Sequence, residues 1–305
     1  MATASELQSL EAIEYKSRVK VFFFFLLCPL LFALAFMNFF PVGDKLKQLM
    51  NSQLKNTNCN PDFNKISAEW FLPKLVVTDL VIPAGCLGRA GDPVKLAFAK
   101  LNFHLINFSP VGIPFRLDTE VEGQPLSLYF VQGLGKQLIR LKDQKLSLSK
   151  LQPVLGKGFK LAGNVTVDLS LLLENKAIRD MSLKAASKNL EIPSQSLQGF
   201  TIPALKLNEL YLEALTEVHP RVRVERLTIG DSDSPIRANF KGKIDLQDGA
   251  IPLSPMDLAG EVSFSESFKQ TLPLIDMMFQ SFTQKDGFYQ IRLGGTLGAP
   301  KPSAL

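Results

Sequence analysis

Histidine is scarce in this sequence, and the common catalytic motifs are missing from it. The two histidines, His104 and His219, have no second histidine or cysteine nearby at metal-ligand spacing. No Gly-x-Ser-x-Gly elbow occurs, and the glycine-rich stretches 133–136 and 156–158 lack the full spacing of a phosphate loop. The acidic stretch 231–235 lacks the closing glutamate of a calcium loop and is typical of a hairpin turn. We therefore predict a protein that is not an enzyme and that uses no metal ion or cofactor.

Cysteine is also rare, with three in the chain. Cys28 lies in an apolar segment, where it behaves as a small apolar residue. In an oxidising compartment the remaining pair, Cys59 and Cys86, is a candidate disulfide, which would stabilise the fold by about 3 kcal/mol in the chain-entropy model. Two free thiols are the alternative.

Charge is absent from one long stretch, between Lys20 and Asp44. A transmembrane helix needs about 20 mostly apolar residues, and this stretch has that length. We predict a tail at 1–20 and a single transmembrane anchor at 21–43. The basic residues just before the span favour a cytoplasmic N-terminus.

Two alternatives to the retained anchor stay open. Ala33-Leu34-Ala35 has the small-x-small form of a signal-peptide cleavage site, so cleavage after Ala35 is the first. A buried core helix is the second, although the stretch has no amphipathic stripe. The apolar run continues past Ala35, which favours the anchor. The next segment, 44–64, is predicted as a membrane-proximal helix and linker, because its first half has apolar residues at helical spacing.

Positive charge is concentrated between Leu134 and Lys160, although the formal net charge of the chain is only +5. The cations that we single out are Lys136, Arg140, Lys142 and Lys145. A face of this sign could contact anionic head groups or an acidic partner, whereas a solvated lysine-rich rim is the plainer interpretation. Nucleic acid is not expected, because the region lacks the interleaved aromatic residues of single-strand binders.

The pattern beyond residue 64 alternates with the period of β-strands. Strands are predicted at 75–82, 96–106, 115–122, 126–131 and 288–297. The longest alternation runs from Phe159 to Leu173, with apolar residues or glycine at the odd positions. We predict a mainly β fold, a strongly curved and mostly antiparallel sheet in two similar units, 65–192 and 193–305.

Glycine recurs on the apolar side of the strands in the pattern apolar-x-Gly-x-apolar. The four instances are 161–165, 240–244, 258–262 and 293–297. Glycine costs stability inside a strand, so its recurrence predicts sharp curvature or, as the alternative, clearance for an apolar guest or a helix. The guest interpretation predicts an apolar groove that includes Val165, Val167, Leu169, Phe240 and Ile244 and that would hold phospholipid.

One helix is predicted near the C-terminus, at 267–284, where apolar residues recur at helical spacing. Pro273 is placed near its start, where the first turn does not need an amide donor. The broad apolar stripe most simply packs against a sheet as core, and a partner-binding helix is the alternative.

The succession of these segments resembles a known group of proteins. An anchor followed by the strand entry Ile66–Pro73 is similar to the AsmA-like bacterial envelope proteins. Three later stretches are similar to the long form of the type II secretion system protein N family, GspN. They are Arg223–Gly230, Phe240–Leu246 and Leu293–Pro300. The resemblance implies a single-pass protein of the bacterial inner membrane, with its N-terminus in the cytoplasm and its main domain in the periplasm.

The resemblance also implies two functions of different kinds. As a GspN-like protein, the chain would be a scaffold in the type II secretion system, contacting other secretion-system proteins through strand edges and charge during export of folded proteins. As an AsmA-like protein, it would be a periplasmic groove that binds or transfers lipid in envelope maintenance.

Overall fold

The structure is a computed structural model of the chain. It describes residues 61–69, 74–87, 92–104, 107–108, 110–151, 160–175, 177–197, 200–247 and 250–305, together with the isolated positions 27 and 48. The predicted tail, the anchor at 21–43 and most of the membrane-proximal segment therefore lie outside the described residues. Among the residues that are described, no helix is long and apolar enough to cross a membrane.

Strands make up most of the described chain. In its first half they are β1 (Lys65–Glu69), β2 (Lys74–Ile82), β3 (Val94–Phe103), β4 (Asn107–Phe108), β5 (Val111–Val121), β6 (Gln124–Gly133), β7 (Lys136–Ser147), β8 (Asn164–Glu174) and β9 (Ala177–Ile192). In its second half they are β10 (Gln195–Leu197), β11 (Phe200–Ile202), β12 (Leu205–Val218), β13 (Arg221–Ile229), β14 (Ile236–Asp245), β15 (Met256–Phe264), β16 (Gln284–Lys285), β17 (Phe288–Thr296) and β18 (Ala299–Ala304). The α-helices are α1 (Glu266–Thr271) and α2 (Leu274–Phe279).

Sixteen of these strands form one antiparallel sheet. Its order is β1-β2-β3-β5-β6-β7-β8-β9-β12-β13-β14-β15-β17-β16, with β4 paired to β5 and β18 paired to β17. Neighbours in the sheet are almost always neighbours in the chain, as in a long meander. The prediction of a mainly β, mostly antiparallel fold is confirmed. The predicted strong curvature is wrong, because the sheet is neither closed nor strongly curled.

The recurring glycines, from which strong curvature was predicted, have another role in the sheet. A Cβ atom at Gly242 would collide with the carbonyl oxygen of Asp257, and one at Gly260 would collide with the Asn239 carbonyl and the Phe240 ring. Glycine is therefore required because adjacent strands and the ring of Phe240 approach closely within the sheet. These two glycines neither bend the sheet sharply nor leave space for a guest.

One face of the sheet is mainly apolar and the other is mainly polar, although the polar side carries the buried pair Val131 and Leu138. Residues paired across antiparallel strands lie on the same face, so the register assigns every position. One row of pairs links Phe130 of β6, Ile139 of β7, Leu171 of β8 and Met181 of β9. The next row along the strands links Leu141, Leu169, Leu183, Ala214, Val224 and Gly242. We call the side that carries these rows the apolar face; the opposite side is the polar face.

The two helices pack against the apolar face at one end of the strands. Phe268 of α1 belongs to a buried cluster with Leu146 of β7, Val165 of β8 and Leu207 of β12. We call this the capped end of the strands. The opposite end, which includes Phe115, is the open end. The helices therefore cover only part of the apolar face.

The predicted helix at 267–284 is wrong in its extent. Instead of one helix there are two of six residues each, and the first begins one residue earlier than predicted. Leu272, between them, has φ −130° and ψ 75°, and Pro273 follows as the N-cap of α2. Proline lacks an amide hydrogen and clashes with the preceding turn, so it interrupts a helix everywhere except in the first turn. Pro273 lies seven residues into the predicted range, beyond the first turn.

The predicted division at residue 193 stays a prediction. The hydrogen-bonded ladder passes directly from β9 to β12 at that point, while β10 and β11 form a separate two-stranded sheet.

Candidate functional site

The apolar face is incompletely covered over β3 to β9. Three buried clusters hold most of the core of the described chain, and Val131, Leu138 and Leu141 are buried outside them. Leu117, Leu128, Ile139, Leu169 and Leu183 lie on the apolar face but belong to none of the clusters, and each remains half-buried. Protein domains normally bury the apolar face of a sheet against a second layer. Here the described residues supply a second layer only at the capped end.

The uncovered part is long enough to hold an extended apolar molecule. From β3 to β9 the sheet crosses five intervals between neighbouring strands, or about 24 Å at 4.8 Å each. The hydrocarbon depth of one bilayer leaflet is roughly 15 Å. An acyl chain lying across the strands would therefore fit within this part of the face.

Three phenylalanine rings line the open end of this surface. The rings of Phe115 and Phe130 are stacked, with centroids 5.2 Å apart and an interplanar angle of 13°. Phe103 continues the row at 6.2 Å from Phe115, and 40% of its surface is exposed. Flat aromatic surfaces that stay accessible are suited to packing against alkyl chains.

Five rings at the capped end form the opposite arrangement. Phe264 of β15 lies 6.0 Å from Phe268 and 5.0 Å from Phe279, measured between ring centroids. Tyr289 and Phe282 complete the group around Phe279, at 5.4 and 5.1 Å. Phe268 is only 5% exposed. This aromatic cluster is core, and it closes the apolar face over β15 and β17.

The five predicted groove residues all lie on the apolar face, but they differ in accessibility. Val165 and Phe240 are buried within core clusters. Val167, Leu169 and Ile244 are half-buried. The accessible surface lies instead between β3 and β9, and the sequence reasoning missed its aromatic row. The alternating pattern at 115–121 was the available signal, since it already placed an aromatic ring on the apolar side.

The predicted basic residues lie along one strand, β7. Lys136, Arg140 and Lys145 are exposed on its polar face, and Lys136 lies 3.5 Å from a carboxylate oxygen of Glu174. The register with β8 shifts between Leu141 and Gln144, so Lys142 falls at a bulge. Within the described part of the chain, Arg140, Lys142 and Lys145 have no ion-pair partner within 4.0 Å.

Cross-strand ion pairs organise the rest of the polar face. Arg292 of β17 donates two hydrogen bonds to the carboxylate of Asp257 of β15, at 2.7 and 2.8 Å. These bonds hold the pKa of Asp257 below its ordinary value. The hydrogen bonds from Lys184 and then Tyr211 lower the pKa of Glu213 in the same way. Such exposed pairs are typical of a solvated face.

The titratable groups of the described residues do not assemble a metal site. No group of three or more His, Cys, Asp or Glu side chains is placed to hold a metal ion within the ranges described above. Asp231 accepts hydrogen bonds from Asn208 Nδ2, at 3.0 and 3.1 Å, and from the backbone N–H of Asp233, at 3.1 Å. Its carboxylate therefore shapes the turn between β13 and β14.

Cys86 lies in a 3-10 turn, Ala84–Leu87, and is disulfide-bonded. The other two cysteines of the sequence, Cys28 and Cys59, lie outside the described residues. Pairing with Cys59 therefore stays a prediction.

The hairpin tips at the open end of β5 to β7 expose aliphatic side chains. Val111 and Ile113 of β5 are 68% and 58% exposed, and Leu134 in the β6–β7 turn is fully exposed. With Gly133 and Lys136 they line a groove of about 630 Å³. We call Val111, Ile113 and Leu134 the apolar lip.

The surface that stands out is thus the uncovered apolar face of β3 to β9, with the apolar lip at its open end. Comparisons with protein-family models, with curated proteins and with solved structures find no match to the chain.

Proposed function

We propose that this protein binds lipid acyl chains along the uncovered apolar face of β3 to β9. The observation that carries the proposal is the continuous cross-strand row of half-buried apolar side chains from Phe115 to Leu171. Soluble monomeric proteins rarely leave contiguous apolar patches larger than a few hundred Å² exposed. The part of this apolar face that the described residues leave accessible favours an apolar occupant.

The magnitude of the hydrophobic effect supports an acyl chain as that occupant. Each buried methylene contributes about 0.8 kcal/mol, so burying the equivalent of about eight methylenes contributes about 6 kcal/mol. The described residues place no buried charge on this part of the face that would oppose apolar contact. The AsmA-like resemblance supports the same class of ligand.

The proposed location follows from the sequence. The charge-free segment 21–43 would be a single-pass anchor in the bacterial inner membrane, with the sheet in the periplasm. An anchor supports a lipid-handling role, because it keeps the sheet beside a supply of phospholipid.

A charge placed on the apolar face tests the proposal. Leu169→Glu puts a carboxylate in the middle of the row, while Ser170→Glu puts the same group on the polar face of the same strand, opposite Arg140. The full chain is purified in mild detergent, and its bound phospholipid is measured by native mass spectrometry. We expect lipid in the wild type and in Ser170→Glu, and its loss in Leu169→Glu. Lipid-free wild-type protein would overturn the proposal.

A scaffold role in type II secretion is the second candidate. Arg140, Lys142 and Lys145 of β7 are exposed and have no ion-pair partner within the described ranges, which supports contact with an acidic partner. Edge pairing is less well supported, because β18, the last strand at one sheet edge, contains Pro300 and Pro302. Both prolines lie on the same side of a strand that still pairs with β17, so that side faces outward without amide donors.

Charge reversal tests this second candidate in cells. The triple variant is Arg140→Glu/Lys142→Glu/Lys145→Glu. If these cations contact a secretion component, the variant should secrete as little exported enzyme as a strain from which the gene is deleted. Unchanged secretion in the deletion strain would exclude the scaffold role.

A further inference from the structure

We propose that the apolar lip inserts into the surface of an anionic phospholipid bilayer, and that lipid enters the apolar face there. The inference rests on the proposed function for its second half, lipid entry. The insertion of Val111, Ile113 and Leu134 into the bilayer stands on separate observations.

The first observation is the chemistry of the hairpin tip. Leu134 lies between two glycines in the turn that joins β6 to β7, and its side chain is fully exposed. Turns of this kind favour glycine, asparagine, aspartate and serine. A leucine there gains nothing from the fold of this domain, whereas a bilayer would bury it.

The second observation is continuity with the apolar face. Val111 and Ile113 have the same parity on β5 as Phe115, so all three side chains lie on the apolar face. Phe115 in turn stacks on Phe130. An acyl chain that leaves the bilayer at the lip would therefore meet apolar side chains along β5, from Val111 to Phe115, and would pass beside the hydrogen-bonded pair Gln132 and Gln137 of β6 and β7.

The third observation is the charge beside the lip. Lys136 follows the turn directly, and Arg140 lies four residues further along the same strand, about 13 Å away. An apolar segment at an interface enters to a depth of about 5–10 Å, so these two cations would lie at the level of the head groups. Anionic head groups attract cations at that level, and Arg140 has no ion-pair partner among the described residues.

The turns at the capped end do not combine exposed aliphatic side chains with adjacent cations in the same way. The turn between β13 and β14 at that end carries Asp231 and Asp233, and the β5–β6 turn carries Glu122. Carboxylates would be repelled by an anionic surface. The capped end also carries the exposed cations Lys145 and Lys150, so the exposed aliphatic side chains of the lip, and not charge alone, assign the open end of β5 to β7 to the bilayer.

Tryptophan quenching tests the insertion. The sequence contains one tryptophan, so Leu134→Trp adds a reporter at the tip against a low background. The full chain is reconstituted in vesicles of phosphatidylethanolamine and phosphatidylglycerol, with or without brominated acyl chains. We expect the fluorescence added by Leu134→Trp to be quenched. The matched control is Val218→Trp, at a position that is 73% exposed beside the β12–β13 turn, on strands whose apolar face is covered by a buried cluster. Quenching there and not at position 134 would overturn the assignment.

A second variant pair links the lip to lipid entry. In Ile113→Asp/Leu134→Asp, transfer of a fluorescent phospholipid from vesicles to the protein should slow at least about tenfold, because two aliphatic groups no longer partition into the bilayer. Val218→Asp should transfer lipid at the wild-type rate. An unchanged rate in the double variant would overturn the entry route.

The two proposals fail in different ways. If Leu134→Trp is unquenched while lipid still copurifies with the wild type, the lip is wrong and the apolar face stands. If Leu134→Trp is quenched in a chain that also carries Leu169→Glu and holds no lipid, insertion by the lip stands by itself.

Discussion

Two aromatic groups lie against the same face of the same sheet, and they differ in how far they are covered. At the capped end Phe264 of β15 packs against Phe268 of α1 and Phe279 of α2, and Phe268 is buried. At the open end Phe103 and Phe115 form a row that no described helix covers. Since residue type and face are the same, coverage alone separates core from candidate site.

The comparison shows which part of the apolar face remains accessible to a ligand. The strands from β12 onward have a closed core, with Val222, Ile291 and Leu258 almost fully buried. The strands from β3 to β9 carry an equally apolar face that retains accessible surface. The closed part of the apolar face therefore lies in the C-terminal strands, and the candidate site lies in the N-terminal ones.

The largest expected effect is on stability at the capped end. Phe268→Ala should lower the free energy of unfolding by about 3–5 kcal/mol, because it removes a buried ring from a packed cluster. Urea unfolding followed by circular dichroism measures the change. Met277→Ala, on α2 but 60% exposed, is the control and should stay within about 0.5 kcal/mol of the wild type. A small effect of Phe268→Ala would mean that the helices are not part of the core.

At the open end, a substitution is expected to change the free energy of unfolding less and the retention of phospholipid more. Phe115→Ala should cost about 1 kcal/mol, because its main loss is the stacking contact with Phe130. The same variant should retain less phospholipid, measured as the phosphate-to-protein ratio after purification. If Phe115→Ala destabilises the protein as much as Phe268→Ala, the contrast between the two groups fails.

The sheet edge beside the capped cluster gives a third test. Pro300→Thr/Pro302→Thr restores two outward amide donors on β18 and should allow edge-to-edge association. Light scattering over a range of protein concentrations would detect the change. Ser303→Thr, at the alternate position that faces β17, serves as the control and should remain unassociated.

The smallest expected effect is the pH dependence contributed by the polar face. Arg292 lowers the pKa of Asp257 below its ordinary value of 3.8, so this pair stabilises the folded state above that pH. The contribution is lost as the pH falls through the lower, folded-state pKa. Asp257→Asn should therefore unfold more readily than the wild type near neutral pH, and the two proteins should converge in acid. Unfolding midpoints that differ equally at all pH values would contradict this assignment.

Much of the fold follows from alternation in the sequence. The run from Phe159 to Leu173 predicts β8, which extends from Asn164 to Glu174, and it assigns the correct apolar side. Alternation identifies the buried side because side chains point alternately to the two faces of a regular strand. The alternation is interrupted where a strand bulges. On β7 the buried residues Leu141 and Leu146 lie on the same face but have opposite parity, because the register shifts between Leu141 and Gln144.

The candidate site could be predicted only in part, because coverage is a tertiary property. Val165 and Leu169 are equivalent in the sequence pattern, yet Val165 is buried in the cluster under α1 and Leu169 is not. No local signal separates them. The break at Pro273 was readable, since a proline beyond the first turn ends a helix. The lip was readable as well, because a leucine between two glycines is an unusual turn residue.

The meander order of the strands has a consequence for how such a sheet can grow. Most strands pair only with the strands next to them in the chain, so a duplicated hairpin can be inserted at a hairpin turn without rethreading the remainder. Every added hairpin lengthens the face by about 10 Å while the helices at one end and the tips at the other keep their positions. The length of this surface is therefore an adjustable dimension, set by the number of repeats and independent of the chemistry that lines it.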